Sequence, residues 1–383
     1  MYRRALPKPY RARALWLSTQ PQTKHQIHAR FYSSAQQDEF AQTRFSMPAE
    51  WSRHSHTITV WPDFLSYQDE DILQSARSEV SAIANAVARF EPVTMYTKPQ
   101  NVAKARATVS ERVTVRPLQA SQLWVRDTGP IFVRNGLDGS QAGLSLSFNY
   151  WGNKIPSEED EKVASNVLSD MGVQVATPGF RAEGGGIEVD GEGTLLATES
   201  AIINPNRNLG LSKAQLEEQF KQYLGIDKTI WLRGVKGYDI TDYHIDAFAR
   251  FIAPGRVLIG RPPNSSEKFI IEAYEQARQV LDTETDASGR RLEVVEVEEP
   301  HPTQLLREES LEDPDVTFAS YVNYLLVNEG MIVPRFGIGK MDDDALELYR
   351  RWFPDREVVQ VDINTLPRSG GGIHCATQQV PLI

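Results

Sequence analysis

The chain of 383 residues contains one cysteine, Cys375, at the end of the run Gly370-Gly371-Gly372-Ile373-His374-Cys375. A lone cysteine in an apolar run is ordinarily a small buried hydrophobe. This one has a Gly-rich approach, a histidine beside it, and polar Thr377, Gln378 and Gln379 after it. That setting suits a thiolate that needs room for a substrate. The glycines do not form a phosphate loop, because no Lys-Ser or Lys-Thr follows and no helical pattern begins there.

Four further polar islands interrupt apolar stretches: Trp124-Val125-Arg126-Asp127-Thr128-Gly129-Pro130, Glu183-Gly184-Gly185-Gly186, Asn204-Pro205-Asn206-Arg207-Asn208 and Asp242-Tyr243-His244-Ile245-Asp246. Each acid in them could equally serve as a turn or cap residue bonded to nearby amides. His244 and Asp246 are the sharper pair. In an extended segment, residues i and i+2 share a face roughly 6.6 Å apart, and Ile245, Phe248 and Phe251 give the segment an apolar side.

One thiol, one imidazole and several carboxylates narrow the chemistry. Peptide hydrolysis by a Cys–His pair needs no cluster of acids. A metal site of His244, Asp246 and Cys375 is conceivable but lacks the ligand spacing of zinc motifs. A guanidinium is different, because it offers five N–H donors in a fork that carboxylates grip bidentately. Thiolate attack on its central carbon, with acids pinning the nitrogens and a histidine shuttling protons, is coherent and requires no metal or organic cofactor. The charge agrees. There are 41 basic and 51 acidic residues, a net −10, and residues 1–37 hold seven of the bases and no acid, leaving the rest at −17. An acidic body favours a small cationic partner and argues against nucleic acid. No apolar run of ~18 residues is present to cross a membrane, and one cysteine excludes an internal disulfide or a multi-thiolate zinc site. An oligomer is compatible with all of this.

Short apolar strands alternate with amphipathic helices from Met47 onward, the pattern of an α/β or α+β fold. Residues 69–90 place Ile72, Leu73, Ala76, Val80, Ile83, Ala84 and Val87 at helical spacing. Residues 158–171 do the same before Gly172, and Ser212 with Gln215 reads as a capping box opening a helix that stops at Gly225. Further helices are expected at 266–281 and 342–352. Strands are expected at 92–96, 194–198, 229–233, 257–260, 292–297, 321–327, 331–335 and 357–361. The acid-rich stretch 296–316 reads as a long surface loop inside one domain. Residues 1–40 are set apart. Arg-rich and nearly acid-free, they have the composition of a mitochondrial transit peptide or a disordered basic tail, which would leave 41–383 as a single catalytic domain, in the mitochondrial matrix if the segment is a working address and in the cytoplasm otherwise.

Taken in order, the islands resemble the agmatine deiminase and bacterial-type peptidylarginine deiminase family, part of the guanidine-modifying pentein superfamily. The likeness runs from Met47-Pro48-Ala49-Glu50-Trp51, His54 and Trp61-Pro62 to Gly372-Ile373-His374-Cys375 and Gln378-Gln379. It implies a five-bladed α/β propeller of ββαβ units. It also implies Cys375 as nucleophile, His244 as general acid and base, Asp127 and Asp246 as guanidinium clamps, and Glu183 as the carboxylate that orients His244. Trp124, Arg126 and Gly372 would join Asp127 and Asp246 in holding the substrate. The expected reaction is hydrolysis of agmatine to N-carbamoylputrescine and ammonia, a step of putrescine synthesis. Deimination of free or peptidyl arginine to citrulline, and non-catalytic guanidine binding, are the alternatives. Tyr243, Ala247 and Glu188 depart from the family's usual Gly, Asn and His, and are expected to flank the site where the far end of the substrate lies.

Overall fold

A computed structural model describes residues 44–63, 69–155, 159–305 and 319–383. The basic segment 1–40 and residues 306–316 of the expected loop lie outside the described residues. The helix read from 69–90 spans Glu70–Val87, and the Asp69 side chain accepts hydrogen bonds from the Asp71 and Ile72 amides to start it. Its Leu73, Ala76, Val80, Ile83, Ala84 and Val87 are buried, whereas Ile72, expected in the same stripe, is 47% exposed. Each buried Leu, Ile or Val contributes ~1.5–3 kcal/mol relative to exposure. Ser212 and Gln215 form the reciprocal capping box of helix Lys213–Leu224, which Gly225 ends at φ 76°, the left-handed region glycine enters freely. The helix expected from 158 begins as a 3-10 turn, Asp160–Lys162, and continues as Val163–Met171.

The strands among the described residues form five sheets, and the same unit recurs in each. An antiparallel pair is followed by a helix and a third strand parallel to the second, since a parallel neighbour requires a crossover. In the second unit the pair is Ile131–Asn135 with Gln141–Leu144, then helix Val163–Met171 and strand Gln174–Ala176, with Phe45–Ser46 added at the edge. The third has Glu188–Val189, Thr194–Thr198, helix Lys213–Leu224 and Lys228–Leu232. The fourth has Ala249–Ala253, Arg256–Arg261, helix Lys268–Thr283 and Glu293–Glu298. The fifth has Leu325–Val327, Gly330–Arg335, helix Lys340–Trp352 and Glu357–Asp362. The first unit is assembled from distant segments: Thr377–Pro381 pairs antiparallel with His54–Val60, followed by helix Glu70–Val87, Val93–Thr97, helix Val102–Arg106 and Val113–Pro117. Five ββαβ units are what a five-bladed propeller requires.

Two strand expectations change. The run 321–327 is extended only at Leu325–Val327, because Ser320, Tyr321 and Val322 are taken up in a turn whose groups bond to the Glu299 carboxylate. His244 and Asp246 are not in a strand either. His244 precedes a 3-10 turn, Ile245–Ala247, and the strand begins at Ala249.

Candidate active site

In four of the units the segment leading into the first strand of the pair carries one of the polar islands, and in the fifth it carries Asn323; the Asn204–Asn208 island follows strand Thr194–Thr198 instead. Val125–Thr128, a single helical turn, precedes Ile131–Asn135, and Gly184–Gly186 precedes Glu188–Val189. The Ile245–Ala247 turn precedes Ala249–Ala253, Asn323 precedes Leu325–Val327, and Cys375 precedes Thr377–Pro381. Because the units are alike, their equivalent entrances meet. Asp127, Glu183, His244, Asp246 and Cys375, more than a hundred residues apart at the extremes, come together in one place.

Gly185 marks its centre. A side chain there would put its first carbon 2.6 Å from His244 Nδ1 and 3.0 Å from both Asp127 Oδ1 and Asp246 Oδ2, so only glycine leaves the space between them open. His244 Nε2 meets Glu183 Oε2 at 3.2 Å, and Nδ1, turned the other way, lies 3.7 Å from Asp127 Oδ1. Burial alone would favour a neutral ring, but Asp127 and Glu183 outweigh it and raise the His244 pKa to about 9. His244 is therefore an imidazolium near neutral pH. Glu183 is buried too, yet Arg207 and His244 hold its carboxyl below the usual range. Arg207 donates from Nε to both Glu183 oxygens at 3.0 and 3.1 Å and bridges on to Asp242 at 2.6 Å.

Cys375 Sγ lies 3.6 Å from Asp246 Oδ2 and accepts from Asn323 Nδ2 at 3.2 Å. Burial and then the Asp246 and Asp127 charges push the thiol well above its ordinary pKa, so these surroundings hold it as a thiol. Asp246 Oδ2 also bonds His374 Nδ1 at 2.8 Å, while its Oδ1 is buried with no partner among the described residues. An unpaired buried carboxylate oxygen is costly unless a ligand meets it. Asp127 accepts from the Gly185 amide at 3.0 Å and from the Trp151 indole at 2.8 Å. Burial raises its pKa, with the Asp246 and Glu183 charges adding to the effect against His244. The Trp151 contact is held by a left-handed run, Tyr150 to Asn153, with φ between 53° and 85°. Such backbone costs on the order of 1–3 kcal/mol per non-glycine residue and collects at functional sites.

Of the expected substrate contacts, Trp124 packs its ring against Gly371, where an added side-chain carbon would come within 2.5 Å of it. Gly372 has no room for a side chain because Asn323 Oδ1 occupies it. Arg126 corrects the sequence reading. It is 3% exposed and lies behind the Cys375 turn, its Nε donating to the His374 carbonyl and its Nη2 3.9 Å from Glu50. A cation facing the cleft would repel a guanidinium. Glu188 is likewise not a flank of the cleft, because its carboxylate is bonded to Arg250 and to the Phe251 amide, with burial raising its pKa to about 7. Tyr243 and Ala247 do border open space. With His244 they line an open pocket that also includes Tyr238, Phe248, Glu299 and Ser320. Tyr243 adopts φ 78° and stacks edge-on with Tyr238 and Phe248.

Asn323 and Trp151 escaped the sequence reading. Asn323 clips the Cys375 turn by accepting the His374 and Cys375 amides on Oδ1 while donating to Sγ. The one available signal was an asparagine inside an otherwise apolar run. No group of three or more His, Cys, Asp or Glu side chains among the described residues is placed to hold a metal ion.

Comparison with known proteins points the same way. The sequence model of the Porphyromonas-type peptidyl-arginine deiminase family matches residues 46–381. The agmatine deiminase of Stutzerimonas stutzeri is 37% identical over 358 residues, covering 89% of this chain and 96% of the relative. That of Pseudomonas syringae pv. tomato is 38% identical over 357 residues, 88% and 95% of the two chains. Among solved structures, agmatine deiminase of Enterococcus faecalis superposes with a TM-score of 0.80 at 31% identity, covering 88% of this chain and 96% of that one. A cysteine-to-serine variant of the C. jejuni agmatine deiminase with substrate bound does so with a TM-score of 0.76 at 26% identity, over 88% and 96%. With four of the five like units delivering a thiol, an imidazolium and three carboxylates to one point, and a family match across nearly the whole described body, this chain belongs to the Porphyromonas-type peptidyl-arginine deiminase family.

Proposed function

We propose that the protein hydrolyses agmatine to N-carbamoylputrescine and ammonia through a covalent intermediate on Cys375. The observation that carries this reading is the unpartnered Oδ1 of Asp246, on a carboxylate that also touches the nucleophile, with Asp127 and the His244 imidazolium around the same opening. A guanidinium there would bind both carboxylates in plane and bring its carbon to the sulfur.

Its charge also supplies what the protein's own groups do not. Asp246 and Asp127 oppose thiolate formation, and a bound cation offsets them, so binding releases the thiol proton to solvent. The thiolate then adds to the guanidinium carbon. One amino group takes a proton from His244, the C–N bond breaks, and ammonia leaves, with a thiouronium remaining on sulfur. Neutral His244 next draws a proton from water as the water oxygen adds to the same carbon. The C–S bond breaks as the hydroxyl proton passes to the departing sulfur, which restores the thiol beside a protonated His244, and the ureido product departs.

The tail pocket favours agmatine over arginine. Its described lining includes Asp239 and Glu299 but no Lys or Arg that could pair with an α-carboxylate. Side-by-side assays of ammonia release from agmatine, free arginine and an arginine peptide test the choice, with agmatine expected to give the highest kcat/KM. Acid-quenched mass spectra should show Cys375 carrying substrate minus ammonia, and Cys375→Ala should lose turnover. Substantial turnover by Cys375→Ala would refute the covalent route. Preference for arginine would move the reading to citrulline formation.

A further inference from the structure

His374 sits beside the nucleophile with its side chain turned away from it, 2% exposed. Nδ1 bonds Asp246 Oδ2 and Nε2 bonds Glu50 Oε2, each at 2.8 Å. A ring between two ionised carboxylates can satisfy both only by donating from both nitrogens, which makes it a cation. The ring is itself fixed. Its backbone N–H donates to Asn323 Oδ1, and its carbonyl accepts from Arg126 Nε. Glu50 is anchored in turn by the Leu326 amide at 2.8 Å and by Arg250 Nη2 at 2.7 Å.

We propose that His374 is a positioning residue for the deimination: as a doubly donating imidazolium it keeps Asp246 ionised and turns its free Oδ1 into the cleft to receive the substrate. The proposal rests on the reading of the site as a guanidine-processing centre. A carboxylate with one oxygen tied to a charged donor has one face left, so the grip on the substrate becomes directional. The tie also matters for the thiol. Asp246 is 3.6 Å from Cys375 Sγ, and a cation on its other side reduces the repulsion that a nascent thiolate meets.

The groups that set the Asp246 charge are all identifiable. His244 faces it from its own turn, His374 and Cys375 from the approach to Thr377–Pro381, and Asp127 from the Val125–Thr128 turn with Arg126 behind it. Arg250 reaches it from strand Ala249–Ala253, while Glu50 faces His374 and Glu183 faces His244. Burial disfavours the charged carboxylate, and against it the His374 hydrogen bond and charge come first, then His244 and Arg250, which together hold Asp246 below its usual range.

The test is His374→Asn, whose amide can still donate near the Nδ1 position but carries no charge. Asp246 must be ionised to bind a guanidinium, and removing a neighbouring cation raises its pKa. The acid limb of kcat/KM should therefore move up by about one pH unit or more, with KM at neutral pH raised more than kcat is lowered. His374→Ala, lacking the donor as well, should lose more at every pH. If it fails to fold, the Asn variant still decides the question. Nitrogen NMR of the wild-type ring supplies a readout that needs no turnover, and both nitrogens should carry a proton while the ring bonds both carboxylates. An unmoved acid limb in His374→Asn, or a ring with one bare nitrogen, would overturn the proposal. If wild-type protein releases no ammonia from any guanidino compound, the functional reading fails instead, and the NMR result still reports on the ring.

Discussion

Replacing Glu183 by glutamine asks whether His244 works as an imidazolium. Glu183 touches Nε2 at 3.2 Å and, with Asp127, raises the ring from an ordinary 6.5 to about 9 against the effect of burial. That difference is worth about 3 kcal/mol. Glutamine keeps the shape, but Arg207 donates to both carboxylate oxygens, so the new amide must give its oxygen to Arg207 and turn its NH2 toward His244. A donor facing Nε2 favours the neutral ring. If the whole shift is lost, the protonated fraction at pH 8 falls from ~0.9 to ~0.03, a roughly 30-fold loss; if Asp127 retains half of it, the loss is ~2.5-fold. At pH 6 the ring is mostly protonated either way, and the variant should run within ~1.5-fold of wild type. Initial rates of ammonia release from pH 5.5 to 9.5 measure this, because kcat/KM reports the free enzyme. Circular dichroism checks that Arg207, still paired with Asp242, keeps the fold. A loss of equal size at pH 6 and pH 8 would mean that Glu183 only shapes the site.

Asp127→Asn and Asp246→Asn each keep their outline while losing a charge-assisted contact, and kcat/KM should fall by at least ~10²-fold with the far-ultraviolet spectrum unchanged; turnover close to wild type in either would misplace the clamp. Gly185→Ala puts a methyl 2.6 Å from His244 Nδ1 at an unstrained backbone position. It should cost ~10²-fold in kcat/KM and lower the melting temperature as His244 and its carboxylates give way, and full activity would show that the substrate does not use that space.

What could be read from the sequence divides by the distance over which the cause acts. Helices such as Lys213–Leu224 were legible because cap, stripe and stop all lie between Ser212 and Gly225. Cys375, His244 and the three acids stood out as polar residues placed against apolar runs, while the roles expected of them came from the family resemblance. The geometry inferred for His244 and Asp246 was not sound, since the alternation argument assumed a strand where the chain makes a 3-10 turn before its strand. The supporting contacts were illegible for a different reason, even where the residue itself stood in a quoted motif, as Glu50, Arg207 and His374 do. Asn323, His374, Glu50, Arg207 and Arg250 act on partners 24 to 324 residues away, and in isolation each resembles any other polar residue. Arg126 shows the converse hazard, because adjacency to Asp127 in sequence placed it on the opposite side of the turn.

The pairing of Thr377 with Thr59 joins residues more than three hundred positions apart, and Cys375 lies two residues before that strand. During synthesis the other four sheets described can form while Cys375 has yet to be made, since chains fold from the N-terminal side as they emerge. A nascent chain therefore cannot carry a live thiol in a half-built pocket. The same event completes the architecture and the site, and a molecule frayed at that strand carries Cys375 outside the surroundings that raise its pKa, as an ordinary thiol without the acids and imidazole around it.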